Sequence, residues 1–189
     1  MPLRCGIIGL SGSGKTTLFN CISNTRAEVH KATFAGSKSN LGIMNVPDPR
    51  LQSIDTFIHA DRIVPTTIEM VDIPGLTKGG SHNEGNKFLA DIRNVDALIH
   101  VVRCFDDPMM PHIEGSVNPV RDKEAVDLEL QIRDLESVEK KIVKTEKMAK
   151  TGDKEAKHAL EVLLIYKNHL ESFQSARSAP VPKEDKKHI

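Results

Sequence analysis

Residues 9–20, GLSGSGKTTLFN, match the pattern G-x-x-x-x-G-K-[ST] and constrain the fold more than any other part of the chain. The fixed positions of the pattern are Gly9, Gly14, Lys15 and Thr16. An apolar run, LRCGIIGL, precedes the match and predicts a buried strand, and KTTLFNCIS follows it as a predicted helix. A glycine loop between a strand and a helix is a common cradle for phosphate groups. The sequence therefore predicts a phosphate loop near the start of an α/β domain.

The residue types in this loop each suit phosphate chemistry. Glycines at positions 9, 12 and 14 permit backbone angles that turn successive N–H groups toward one anion. The Lys15 ammonium reaches the β- and γ-phosphates, and the Thr16 hydroxyl is a ligand for Mg²⁺. The predicted phosphate-binding residues are Gly9, Ser11, Gly12, Ser13, Gly14, Lys15, Thr16 and Thr17.

A second motif, D-x-x-G, lies at the end of the predicted strand TTIEMVDIPG. Asp72 at its start can hold Mg²⁺ through water, and the N–H of Gly75 can approach the γ-phosphate. The same letters also occur in ordinary strand-ending turns. Because a phosphate loop lies upstream, the functional interpretation is favoured, and we expect Thr16 and Asp72 to form the metal site.

The rest of the first 123 residues alternates between strand and helix patterns. Further strands are predicted at 41–46, 66–75 and 96–105, and a helix at 87–95. This alternation predicts a three-layer α/β fold with a mostly parallel sheet and a ligand at the carboxyl ends of its strands. The run 96–105 is apolar on both faces, which predicts a strand buried in the sheet with Cys104 in the core.

Residues 124–175 have apolar side chains at spacings of three and four, interrupted by KTGDKEA. This pattern predicts an inserted antiparallel helical hairpin, or coiled coil, followed by a linker over 176–189. A solvated helical face and a weak, salt-sensitive contact with nucleic acid both account for the lysines near its tip. These lysines are Lys140, Lys141, Lys144, Lys147, Lys150, Lys154 and Lys157.

Composition limits the other functions that the chain could have. Lys+Arg and Asp+Glu both number 26, so a nucleic-acid partner would need a local basic patch. The three cysteines form no CxxC or Cys/His cluster. Five of the eight histidines show no pattern typical of a site, namely His30, His59, His158, His169 and His188. The first apolar run is too short to span a membrane and lacks a signal-peptide cleavage pattern. We therefore expect no membrane contact, no zinc site and a reducing, cytoplasmic compartment.

Two parts of a nucleotide hydrolase are not evident from the motifs. Leu76 occupies the position of the water-orienting glutamine of Ras-type GTPases, and a leucine cannot polarise water. His82 and His112 are the histidines predicted near the phosphates, with a solvated loop position as the alternative for each. GTPases read guanine with an N-K-x-D after the strand that follows the fourth, and no such sequence occurs in this chain. Asn168 and Glu171 continue the helical spacing rather than forming a base-reading loop.

Taken together, the motifs resemble the Obg-like ATPase (YchF) family, a branch of the translation-factor-related P-loop GTPases. The resemblance rests on CGIIGL…GKTTLFN, VPDPRL, VPTTIEMVDIPGLTKGG, GNKFLADIRNVDALIHVVRCFDD and GSVNPVRDKE. It implies a Mg²⁺-dependent hydrolase that prefers ATP, with GTP possible, and that associates with ribosomes. It also implies that Lys15 and His112 are catalytic, with His112 positioning water. Phe105 is then expected to border the base pocket, with a core position equally open.

The chain also departs from the family pattern. The resemblance implies a Mg²⁺-ligating Thr in the first switch, where this chain has Gly36, with Ser37 or Thr33 as substitutes. The base-reading loop and remaining strands of the domain are expected to lie outside this chain. A nucleotide-gated binding module that does not hydrolyse nucleotide is therefore the alternative to an ATPase.

Overall fold

The computed structural model describes residues 2–23, 39–76, 88 and 90–188. The chain divides into two compact units, Met1–Asp122 and Lys123–Ile189, and each is described by itself. The expected first-switch positions Thr33, Gly36 and Ser37, and the candidate His82, lie outside the described residues.

The first unit contains a four-stranded sheet with the order β2-β3-β1-β4. Its strands are β1 (Leu3–Ile8), β2 (Asn40–Asn45), β3 (Thr67–Asp72) and β4 (Ala97–His100). Strand β1 is parallel to both β3 and β4, and β2 is antiparallel to β3. The predicted α/β fold with a mostly parallel sheet is confirmed.

The register between β1 and β3 brings the functional ends of the two strands together. Ile7 of β1 pairs with Asp72 of β3, so the loops after both strands leave the same edge of the sheet. Helix α1 (Lys15–Ile22) packs on this sheet through Phe19, which is buried in one cluster with Cys5, Ile7 and Met70. Burial of a side chain such as Phe19 contributes about 1.5–3 kcal/mol. The core thus fixes the helix that begins at the phosphate loop.

Helix α2 (Pro49–Ile58) was not predicted, because PDPR resembles a turn. Asp48 accepts a hydrogen bond from the Arg50 amide (3.0 Å), and Pro49 occupies the first turn of the helix. A capping aspartate followed by proline starts a helix as readily as it forms a turn.

The prediction of a buried strand over 96–105 was wrong in length and burial. Strand β4 ends at His100, and residues 101–107 have no regular structure. Leu98 and Ile99 are 40% and 39% exposed, and Cys104 is exposed rather than in the core. The physical reason is position, because β4 pairs only with β1 and forms one edge of the sheet that the structure describes.

The second unit is built on two helices, α3 (Pro119–Lys150) and α4 (Lys154–Glu171). Helix α3 begins ahead of the predicted start at residue 124, and its first turn belongs to the first unit. Asp153 caps α4 by accepting hydrogen bonds from the amides of Glu155 (2.9 Å) and Ala156 (3.3 Å). Asn168 and Glu171 are helical, which confirms that they form no base-reading loop.

The two helices share one apolar core. The segment after α4, predicted as a linker, forms two short 3₁₀ helices, Ala176–Ser178 and Lys183–His188. Ala179 and Val181, which lie between these two 3₁₀ helices, are buried against the hairpin. The cluster consists of Val138, Ile142, Val162, Leu163, Tyr166, Leu170, Ala179 and Val181. Among the described helices, none is both long and apolar enough to cross a membrane.

Candidate functional site

The phosphate loop connects β1 to α1, and its backbone requires glycine. Gly9, Gly12 and Gly14 have φ values of 148°, 76° and 95°, and residues other than glycine rarely adopt such backbone angles. A Cβ atom at Gly9 would lie 2.3 Å from the Val101 carbonyl oxygen. The loop therefore passes directly over the chain that follows β4, with no room for a side chain.

The loop presents free backbone donors. Within the described ranges, the amides of Gly12 and Gly14 have no hydrogen-bond acceptor. The Ser11 amide donates to the Leu76 carbonyl (3.1 Å), and the Ser13 amide donates to the Leu10 carbonyl (3.3 Å). Unpaired N–H groups at a helix N-terminus attract anions, because the helix dipole adds partial positive charge there.

Lys15 places a buried cation beside these amides. Its side chain is 6% exposed, and its Nζ donates to the Leu10 carbonyl (2.7 Å). Burial lowers the pKa of Lys15 from 10.5 to about 8, and the Asp72 carboxylate opposes this effect. A desolvated ammonium is stabilised by any anion that enters the loop, so the site favours a negatively charged ligand.

Thr16 and Asp72 meet across the site. The Thr16 hydroxyl donates to Asp72 Oδ2 (2.7 Å), and the carboxylate is 5% exposed. Asp72 Oδ1 is buried and has no hydrogen-bond partner among the described residues. A hydroxyl and a carboxylate with an unsatisfied oxygen are the hard oxygen donors that Mg²⁺ prefers. The residues present therefore fit the predicted metal.

Gly75 and Leu76 close the site from the β3 side. The Leu76 amide donates to the Gly9 carbonyl (3.2 Å), and the Leu76 carbonyl accepts from Ser11. A Cβ atom at Gly75 would lie 2.6 Å from Lys15 Nζ and 2.8 Å from the Ser11 amide nitrogen. Gly75 and Leu76 thus approach the phosphate loop through their backbone, and a side chain at Gly75 would not fit there.

His112 is close to the phosphate loop, but both of its ring nitrogens are engaged. It lines a small cavity together with Ser11 and Ser13. Its Nε2 lies 2.8 Å from Asp122 Oδ2, and its Nδ1 accepts a hydrogen bond from the Glu114 amide (3.0 Å). An accepting Nδ1 places the proton of the neutral ring on Nε2, toward the carboxylate.

Asp122 is the residue that holds His112 from the first turn of α3. The His112 and Asp122 side chains are each only 4% exposed. Arg121 donates to Asp122 Oδ1 through Nε (3.0 Å) and Nη2 (2.8 Å). Arg121 thus compensates the buried carboxylate, and Asp122 fixes the imidazole orientation.

Arg103 is a second buried cation near the loop. It is 2% exposed, and it donates to the carbonyls of Phe105 (3.1 Å) and Met110 (2.7 Å). Its guanidinium lies 4.8 Å from the centre of the Phe105 ring, and its Nη1 lies 3.7 Å from a Cβ built on Gly12. Among the described residues it has no carboxylate partner, so its charge adds to the positive field at the phosphate loop.

The predicted site residues fall into two groups. Lys15, Thr16, Asp72 and Gly75 converge with the loop, while Thr17 is exposed on α1 and Phe105 is 48% exposed under Arg103. Sequence reasoning missed Arg103 and Asp122. Arg103 falls within the predicted strand 96–105, where a charged residue among apolar ones was a usable signal, whereas Asp122 had no local signal of its own.

Comparison with known proteins is consistent with this geometry. A sequence family described as "50S ribosome-binding GTPase" matches residues 4–164. The ribosome-binding ATPase YchF of Bacillus subtilis (strain 168) is 44% identical over 191 residues, covering 100% of this chain and 52% of the relative. The protein of the same name from Escherichia coli O157:H7 is 41% identical, with coverages of 100% and 53%.

One solved structure extends this similarity to the fold. The Schizosaccharomyces pombe YchF GTPase matches with a TM-score of 0.77 and 33% identity, over 99% of this chain and 52% of that chain. The chain spans about half the length of the curated relatives it matches.

Proposed function

The chain belongs to the YchF family of P-loop GTPases, and on this premise we propose that it is the nucleotide-binding part of a Mg²⁺-dependent ATPase. The observation that carries the proposal is the convergence of Lys15, the free loop amides and the Thr16–Asp72 pair on one point. Buried cations and aligned N–H groups stabilise the charge of a transferring phosphoryl group.

The chain's own residues have separate tasks in this proposal. Lys15 and the amides of Gly12 and Gly14 bind the phosphates, while Gly75 brings a further amide close to the terminal phosphate. Thr16 and Asp72 would hold Mg²⁺, which neutralises phosphate charge when it is bound. The Leu10 carbonyl gives up its hydrogen bond with Lys15 so that the ammonium can meet the ligand.

We assign the alignment of the attacking water to His112, because Leu76 has no polar side-chain atom. Both ring nitrogens of His112 are engaged, so one of them must be released before a water can bind there. Release from the Glu114 amide frees an acceptor while Asp122 keeps the ring oriented. Nucleotide binding near Ser11 and Ser13, which line the same cavity, is the event that we expect to cause this release.

The proposed preference for ATP over GTP and the proposed ribosomal partner rest on the relatives. Those relatives are named ribosome-binding ATPases. A ribosomal partner would place the protein in the cytoplasm. The lysines of the hairpin tip are exposed and have no ion pair in the part of the chain that the structure describes, so they supply a local patch for phosphate-rich RNA.

A nucleotide-gated binding module that does not hydrolyse ATP is the second candidate. The observation that favours it is the state of His112, whose side chain is 4% exposed and whose nitrogens are both engaged. In that case the nucleotide arranges the loops around the site for a partner, and turnover stays at background. The two candidates share the binding site and differ only in the chemical step.

Calorimetric titration with Mg²⁺-ATP and Mg²⁺-GTP, followed by phosphate release under single-turnover conditions, tests both candidates. We expect ATP to bind more tightly than GTP and phosphate to be released. Lys15→Ala should abolish binding, and Lys140→Ala, at an exposed hairpin position, is the matched control that should leave it unchanged. Binding without phosphate release would support the second candidate, and binding that survives Lys15→Ala would contradict both.

A further inference from the structure

A cluster of two histidines and an aspartate lies in the second unit. His158 is on α4, and Asp185 and His188 are on the 3₁₀ helix Lys183–His188. One ligand-type atom from each of the three side chains lies within 4.8 Å of the other two. His158 Nε2 is 2.8 Å from Asp185 Oδ1, and the two imidazole rings are edge to face with centroids 5.5 Å apart.

The local sequence explains how the two elements present these groups. His158 and Glu161 are three residues apart on α4, and Asp185 and His188 are three residues apart on the 3₁₀ helix. Residues i and i+3 are neighbours on an α-helix and lie in line on a 3₁₀ helix, so each element presents one imidazole and one carboxylate. Paired imidazole–carboxylate spacings of this kind, contributed by facing helices, are a known way to hold metal ions.

We propose that His158, Asp185 and His188 form a binding site for a divalent transition-metal ion of the zinc class, which fastens the 3₁₀ helix to α4. Imidazole nitrogens select Zn²⁺, Co²⁺ or Ni²⁺ over Mg²⁺ and Ca²⁺, which take oxygen ligands. Two ligands of one tetrahedral zinc ion are about 3.3 Å apart, given Zn–N and Zn–O distances near 2.0–2.1 Å. The His158–Asp185 separation of 2.8 Å is close to this value, and small side-chain rotations would bring His188 into range. Water or the nearby Glu161 completes the coordination.

An ordinary ion pair accounts for only part of this arrangement. It explains His158 and Asp185, and Asp185 raises the pKa of His158. It does not account for the position of His188, whose ring meets that of His158 edge to face. A metal ion bound by both rings and by the Asp185 carboxylate accounts for all three groups. Lys187 lies close enough to oppose a cation, so we expect moderate rather than extreme affinity.

The direct test is calorimetric titration of the chain with ZnCl₂, in a Cys21→Ser, Cys104→Ser background. Both of these cysteines are exposed thiols that would otherwise compete for zinc. We expect one site, lost or weakened at least about tenfold in His158→Ala and in His188→Ala. Acidification should weaken binding, because protons compete for the imidazole nitrogens. MgCl₂ should show no binding that depends on these histidines.

His169→Ala is the matched control. His169 is also on α4 and makes a side-chain hydrogen bond to Ser178 (2.9 Å), but it is outside the cluster. The zinc affinity of the His169→Ala protein should equal that of the background protein. Circular dichroism should show that every variant is folded. Zinc affinity that is absent, that is unchanged in the double variant His158→Ala, His188→Ala, or that falls equally in His169→Ala would overturn the proposal.

Discussion

At the scale of single residues, Lys15 is a buried cation whose charge depends on its surroundings. Its lowered pKa of about 8 means that the unliganded site begins to lose its cation just above neutral pH. A bound phosphate stabilises the ammonium and raises that pKa, so binding takes up a proton above pH 8. Nucleotide affinity should therefore fall as pH rises through about 8, by up to about tenfold per pH unit.

Titrations at pH 7 and pH 9 measure this fall. Lys15→Arg is the control, because a guanidinium stays protonated throughout this range. Its affinity is expected to be weaker at every pH, since the fork of donors does not fit the same space, but independent of pH. The same slope in both proteins would show that Lys15 is not the titrating group.

The proposed role of His112 in aligning water can be tested by measuring phosphate release and ATP affinity separately. If it aligns water, His112→Ala should lower phosphate release by about 10²-fold or more while ATP affinity changes little. His169→Ala, which removes an imidazole from the second unit, should leave both quantities unchanged. If phosphate release is unchanged in His112→Ala, a group other than His112 aligns the water.

At the scale of structural elements, the hairpin depends on its shared apolar core. Leu163 is 0% exposed and belongs to that core, whereas its neighbour Leu164 is 42% exposed. Leu163→Ala should lower the free energy of unfolding by about 2–5 kcal/mol, because it leaves a cavity. Leu164→Ala should change it by about 0.5 kcal/mol or less. Denaturant unfolding followed by circular dichroism measures both, and equal effects would contradict the described packing.

The exposed lysines of the same hairpin allow a test of RNA contact. Replacement of Lys140, Lys141, Lys144 and Lys147 by Gln should weaken binding to ribosomal RNA and flatten its dependence on salt. Each lost phosphate contact should reduce the slope of log affinity against log salt by about 0.7–0.9. Replacement of Lys183, Lys186 and Lys187 by Gln removes three positive charges outside the hairpin helices and serves as the control. If the salt slope is unchanged in the four-lysine variant, these lysines do not contact RNA and form a solvated helical face.

At the scale of the whole molecule, nucleotide binding should raise the free energy of unfolding. The formal net charge is zero, so no long-range field attracts an anionic ligand, and affinity must come from the site itself. Mg²⁺-ATP at a hundred times its dissociation constant should add about 2.7 kcal/mol to the free energy of unfolding of the part that binds it. Thermal melting detects this gain, and Lys15→Ala should show none. An equal gain in stability in Lys15→Ala would mean that the nucleotide binds outside the phosphate loop.

The phosphate loop, the D-x-x-G motif and the two-helix pattern could all be predicted from the order of the amino acids alone. These depend on local rules: glycine at positive φ, a buried strand before a helix, and apolar spacing of three and four. The positions of Lys15, Thr16 and Asp72 could be predicted for this reason. Helix α2 could not, because a capping aspartate with proline is also a turn signal.

Which distant residues meet depends on how the chain packs, and no local pattern predicts it. Asp122 reaches His112, and Arg103 lies against the phosphate loop, because of how the chain after β4 folds back. His158 and His188 show no constellation in sequence, yet the packing of a 3₁₀ helix on α4 brings them to one carboxylate. The burial that lowers the pKa of Lys15 has the same origin. Local sequence sets backbone angles and periodicity, whereas contacts across long separations exist only once the whole chain has packed.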